Sequence, residues 1–223
     1  MRLPILFAAM WLIGGAGVSA AQAREEVYPT KEITRGTYKT WSLFLVCNPD
    51  WVAPEKSADL ASLYRRFRSF GDAIGRDNLA VWFWQRQVPA SDPKLAENVD
   101  VARSAEFCGA LGRPPSQGPY LVVTNAYPDV KAFPAERAIY ELGGMQPADL
   151  AKALGALTDQ LLLQGQVETA MAAARPPTAP VVPPSLWIRL LEGTRQSLIG
   201  FGCTVKLQIT TGLLSAELRG CEQ

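Results

Sequence analysis

The chain contains no histidine among its 223 residues. That absence removes Ser-His-Asp and Cys-His catalysis, imidazole acid/base chemistry and the zinc sites that depend on imidazole. Cysteine is scarce as well. Cys47, Cys108, Cys203 and Cys221 are the full set, and no two of them form a Cys-x-x-Cys pair. A four-thiolate zinc site therefore has no spacing to build on, and neither a metal nor a cofactor is expected. There is no excess of charge either: 22 Lys and Arg face 21 Asp and Glu, and taking away Arg2 leaves 21 against 21. A neutral chain exerts no long-range attraction on nucleic acid or anionic lipid, so nucleic acid is not an expected partner. Asn-x-Ser/Thr is missing too, which tilts the reading toward a bacterial periplasm over eukaryotic secretion.

What the chain does have is a marked N-terminus. Arg2 is followed by Leu3 to Val18 without a charged side chain, and then by small residues at Val18-Ser19-Ala20 and Ala21-Gln22-Ala23. This is the pattern of a secretory signal peptide, with cleavage expected after Ala23. The apolar run is shorter than the roughly 20 residues a spanning helix needs, and Gly14-Gly15 interrupts it. The mature chain is thus expected to be periplasmic or secreted and soluble. An even number of cysteines in such a compartment points to disulfides, for which three pairings exist.

Along the mature chain the hydrophobic period changes repeatedly. Arg24 to Thr40 is a polar lead-in able to add an edge strand, and Trp41 to Val46 reads as a strand. Leu60, Leu63, Tyr64, Phe67, Phe70 and Ile74 then fall at three- and four-residue spacing. They predict a helix opened by Pro54 and ended by Gly71 or Gly75, with Arg65, Arg66 and Arg68 on its solvated faces. Leu79 to Trp84 reads as a central strand. Asp100 caps a predicted helix through Leu111, with Val101, Ala105 and Cys108 on one stripe. Strands follow at Tyr120 to Thr124 and Arg137 to Leu142, then a helix from Pro147 to near Gly165 whose buried stripe is Leu150, Leu154, Leu157 and Leu161.

Residues 166–184, with a proline-rich stretch from Arg175 to Pro184, read as a linker, and 185–223 as a separate extension. Ser185 caps an amphipathic helix there, with Trp187, Leu190, Leu191 and Leu198 on one face. Packing on the main domain is the favoured use of that face, and peripheral membrane contact the less favoured one. Beyond it, alternation predicts a hairpin with Thr211-Gly212 as its turn, Ile209 facing Leu214, Leu207 facing Ala216 and Val205 facing Leu218. With a bulge at Gly220, a Cys203–Cys221 disulfide would clamp its base.

The element order from Trp41 to Gln164 resembles the thioredoxin-like superfamily. Gly118-Pro119 before Tyr120-Leu-Val-Val-Thr looks like the cis-proline that precedes a core strand there. Ala138-Ile-Tyr-Glu-Leu-Gly-Gly, followed by Pro147-Ala-Asp-Leu, looks like that family's last strand and helix. The resemblance implies an α/β fold: a thioredoxin-like three-layer sandwich with a central mixed sheet, spanning 24–165 after the signal at 1–23 and carrying the helix and hairpin extension. Cys47-Asn48-Pro49-Asp50 occupies the place of the redox motif, so Cys47 matches the nucleophile and Asp50 replaces the resolving cysteine. An aspartate cannot release a mixed disulfide.

Four states of Cys47 and Cys108 stay open on these residues: a static bridge, a reversible redox pair with Cys108 resolving, a lone reactive Cys47, or two buried thiols. Trp51, Trp82 and Trp84 could line a groove near Pro119, or pack in the core. The favoured function is non-catalytic: protein or peptide binding between Cys47 and Gly118-Pro119, with Trp51 contributing, or assembly of an envelope structure. The alternative is a thiol–disulfide oxidoreductase that uses Cys47 and Cys108.

Overall fold

Alternation along Trp41-Ser-Leu-Phe-Leu-Val-Cys47 decides how the two faces of the sheet are covered. Trp41, Leu43, Leu45 and Cys47 point to one side and Phe44 and Val46 to the other, and every one of them is buried. A strand buried on both faces must be covered twice, and three helices do so. The computed structural model describes residues 23–87, 94–143, 147–173, 206–211 and 214–219. Residues 1–22 of the predicted signal, the linker beyond 173, the predicted helix from Ser185 and both Cys203 and Cys221 lie outside the described residues.

The protein is mixed α/β. Strands β1 (Arg24–Val27), β2 (Thr40–Leu45), β3 (Asn78–Phe83), β4 (Tyr120–Thr124) and β5 (Arg137–Glu141) form a mixed sheet, with β1 and β2 parallel to β3 on either side. β4 is antiparallel to β2, and β5 to β4. A hairpin of β6 (Lys206–Thr211) and β7 (Leu214–Arg219) continues the sheet, giving the order β1-β3-β2-β4-β5-β6-β7. Helices α1 (Ser57–Ala73) and α3 (Pro147–Ala173) cover one face, and α2 (Val101–Ala110) covers the other.

On the α1 face, Leu60, Leu63, Tyr64, Phe67 and Phe70 are buried as their spacing predicts, and Ile74 closes the helix before Gly75 turns the chain at φ +76°. Gly71 lies inside the helix instead of ending it. A Cβ there would come 2.6 Å from the Cβ of Arg24, so the missing side chain lets β1 cross close to α1. Arg24 secures that crossing by pairing with Asp72 and donating to the Arg68 carbonyl.

Trp82 and Trp84 are fully buried, which corrects the groove reading for both. The Tyr64 ring meets them edge-on at 5.4 and 4.9 Å, and Phe67 lies 5.4 Å from Trp82. Consecutive same-face positions on a central strand deliver both indoles to the core.

The second face differs from its prediction in one stripe. Asp100 caps α2, accepting from the Arg103 N–H at 2.9 Å, and Leu111 and Gly112 end it. The buried residues, however, are Ser104, Phe107 and Cys108, whereas Val101 and Ala105 are only half-buried. Phe107 stacks on Phe83 at 5.1 Å, so the larger ring sets the helix's rotation.

Two boundaries also move. α3 runs to Ala173, past Gly165, because one glycine costs only about 1 kcal/mol and the residues after it favour helix. The hairpin pairs Ile209 with Ala216 and Leu207 with Leu218, two positions away from the predicted register.

Candidate functional site

Cys47 follows the last paired residue of β2 and keeps the parity of Leu43 and Leu45, so its side chain points toward α2 and away from α1. Cys108 occupies the last turn of α2 on its buried side. The two are joined in a disulfide, with Cα atoms 6.4 Å apart and a sequence separation of 61. Of the four states open on the sequence, the bond removes the lone reactive Cys47 and the two buried thiols, and fits both a static bridge and the oxidised form of a redox pair.

The bridge is sealed. Cys47 is 1% exposed and Cys108 is not exposed at all. Leu43, Leu45, Leu111 and Tyr120 belong to the same buried cluster. Cys47 Sγ lies 3.2 Å from the carbonyl oxygen of Ser104, one turn before Cys108. A disulfide sulfur has no proton to donate, so this is a packing contact in the bridged protein. After reduction the same oxygen would accept from a thiol and would repel a thiolate. Burial, followed by the charge of Glu141, pushes the Tyr120 phenol above its ordinary pKa, and Tyr120 therefore stays neutral beside the cluster.

The segment after Cys47 forms short 3-10 turns at Pro49–Val52 and Pro54–Lys56, and α1 begins only at Ser57. Asn48 organises the first of them. Its side-chain oxygen accepts from the Asp50 N–H at 2.9 Å, while its amide donates to the Ser116 carbonyl at 3.0 Å. Cys47 thus precedes the first residue of α1, Ser57, by ten positions and receives no first-turn position on a long helix. The stabilisation that a helix dipole offers a thiolate acts within the first turn and does not reach it.

Gly118 and Pro119 are joined by a cis peptide bond and are both buried. Continuing the β2–β4 register sets them opposite Cys47 and Val46. The Pro119 carbonyl accepts from the Leu142 N–H at 2.8 Å, and a Cβ at Gly143 would strike the Gly118 carbonyl. The Pro119 carbonyl is thus engaged within the fold, and both residues are covered. Trp51 is half-buried against the α1-side core, with Lys56 Nζ 5.5 Å from its ring. Cys47, Cys108, Gly118 and Pro119 therefore lie together where β2 ends and β4 begins.

Sequence reasoning missed Ser104 and Phe107, which lie beneath the bridge, and Asn48, which ties the Cys47 loop to Ser116. The Asn-Pro-Asp sequence carried a turn signal for Asn48. Among the described residues no group of acidic or thiol side chains could hold a metal, and no helix is long and apolar enough to cross a membrane. Compared with known proteins, the chain matches no family model, no curated protein and no solved structure.

Proposed function

We propose that this is an exported, thioredoxin-like protein that binds a protein or peptide partner, or helps to assemble an envelope structure, without thiol–disulfide catalysis. The observation that carries the non-catalytic part is the burial of both bridge sulfurs. Thiol–disulfide exchange requires a thiolate to approach one sulfur directly, and neither sulfur of this pair is open to one. Asp50 provides no resolving thiol, so exchange would need the buried Cys108 in that role.

The thioredoxin-like reading is supported by the order β1-β3-β2-β4-β5, by helices on both faces and by the position of Gly118-Pro119 before β4. Export is supported by the N-terminal pattern and by the presence of the disulfide, since such bonds persist in oxidising compartments. In this reading the bridge is a staple. In the chain-entropy picture, closing a loop of this length contributes about 4 kcal/mol.

A direct test is the reduction of an unfolded, disulfide-containing protein substrate by dithiothreitol. The expected rate with this protein present is that of dithiothreitol alone. An acceleration that disappears in Cys47→Ser would replace the binding reading with the oxidoreductase one.

A further inference from the structure

Ala23 is the last residue of the predicted export signal, yet the fold uses it as part of the domain. Its side chain is 5% exposed and belongs to the α1-face core. Its carbonyl, one residue ahead of β1, accepts from the Ala80 N–H at 2.8 Å. At the far end of the same strand the Val27 carbonyl accepts from the Trp84 N–H at 2.9 Å. Ala23 therefore opens the β1–β3 ladder that Val27 closes.

A cut after Ala23 would remove that first rung. Ala80 is fully buried, so its N–H would be left as a buried donor without its acceptor, a costly state for a backbone group. The Ala23 methyl group would leave the core, and a charged α-amino group would appear on Arg24. Arg24 is the residue that crosses α1 at Gly71, with its side chain paired to Asp72 and donating to the Arg68 carbonyl. The first residues of a domain fray unless they are tied down, and a chain beginning at Arg24 puts its free end at this crossing.

The sequence offers a second site three residues upstream, where Val18-Ser19-Ala20 also meets the small-residue requirement. A cut there places the new terminus at Ala21, two residues ahead of the first rung, and leaves the Ala23 carbonyl on the mature chain.

We propose that export processing cuts between Ala20 and Ala21, so that the mature protein begins Ala21-Gln22-Ala23-Arg24 and keeps the β1–β3 ladder whole. The step is hydrolysis by a signal peptidase: water adds across the Ala20–Ala21 peptide bond, leaving a carboxylate on Ala20 and an α-amino group on Ala21. This rests on the export reading above and moves the cut upstream of the one expected from the small-residue pattern.

The test expresses the full chain in a bacterium, purifies the protein from the periplasm and reads its N-terminus by sequencing and intact mass. A start at Ala21 is expected. A start at Arg24 would overturn the cut site while leaving export in place. A chain found only inside the cell and still beginning at Met1 would remove the export reading, and the proposal with it. A second measurement compares two chains ending at Gln223, one beginning at Ala21 and the other at Arg24, each freed from a fusion by a protease that leaves no added residue. The Arg24 chain is expected to unfold at a lower urea concentration. Equal midpoints would overturn the part given to Ala23 in choosing the site.

Discussion

Cys47, at the end of β2, is bonded to Cys108 in α2, and this crosslink ties the central sheet to the only helix among the described residues that covers its second face. The α1 face holds two helices and a cluster of six aromatic side chains, Phe44, Tyr64, Phe67, Phe70, Trp82 and Trp84. The α2 face has one helix of 10 residues, shorter than isolated helices that persist in water. A covalent link is most useful on the thinner side.

Breaking the bridge should therefore cost stability. Cys47→Ser is expected to lower the unfolding free energy by about 4 kcal/mol, measured by urea denaturation, and Cys108→Ser by a similar amount. The double variant should lose little more than either single one, because the two residues form one interaction.

Glycines separate close packing from mere absence of a side chain. Gly143→Ala would push a methyl group against the Gly118 carbonyl and should cost roughly 1–3 kcal/mol in thermal or chemical unfolding. Gly155→Ala, on the open surface of α3 with nothing within 4 Å of the new Cβ, should stabilise by roughly 0.5–1 kcal/mol.

Much of this arrangement is legible in the sequence, and the failures have physical causes. The parity of Leu43, Leu45 and Cys47 already directs the thiol to one face, and the stripe from Leu60 to Ile74 already describes α1. The hairpin register was not recoverable. A shift of two residues keeps every side chain on its own face, so apolar alternation cannot distinguish Ile209 opposite Leu214 from Ile209 opposite Ala216. The site was only half legible. Gly118-Pro119 marks a special backbone, but its burial depends on Gly143, which is distant in sequence.

Alkaline stability should report the Glu26 cluster. The Tyr28 and Tyr64 hydroxyls both donate to the Glu26 carboxylate. Burial, followed by that carboxylate, pushes the Tyr28 pKa up to about 12 from 10.0 and raises that of Tyr64 as well. The folded protein thus holds these protons more tightly than the unfolded chain does. The resulting stability is complete below pH 10 and is lost as pH rises toward 12. Denaturation midpoints measured across that interval should fall, and Tyr64→Phe should make the fall shallower. An equal slope in the variant would remove Tyr64 from the account.

The central claim is that Cys47–Cys108 is a staple and not a working redox centre, and its reduction potential tests this most directly. Thiols are counted in the native protein after equilibration with glutathione and then with dithiothreitol buffers of graded potential. The account predicts no free Cys47 or Cys108 in any glutathione buffer, with reduction only below about −300 mV. A bond that opens and closes reversibly near −200 mV, in the range of enzymes that exchange disulfides, would contradict it.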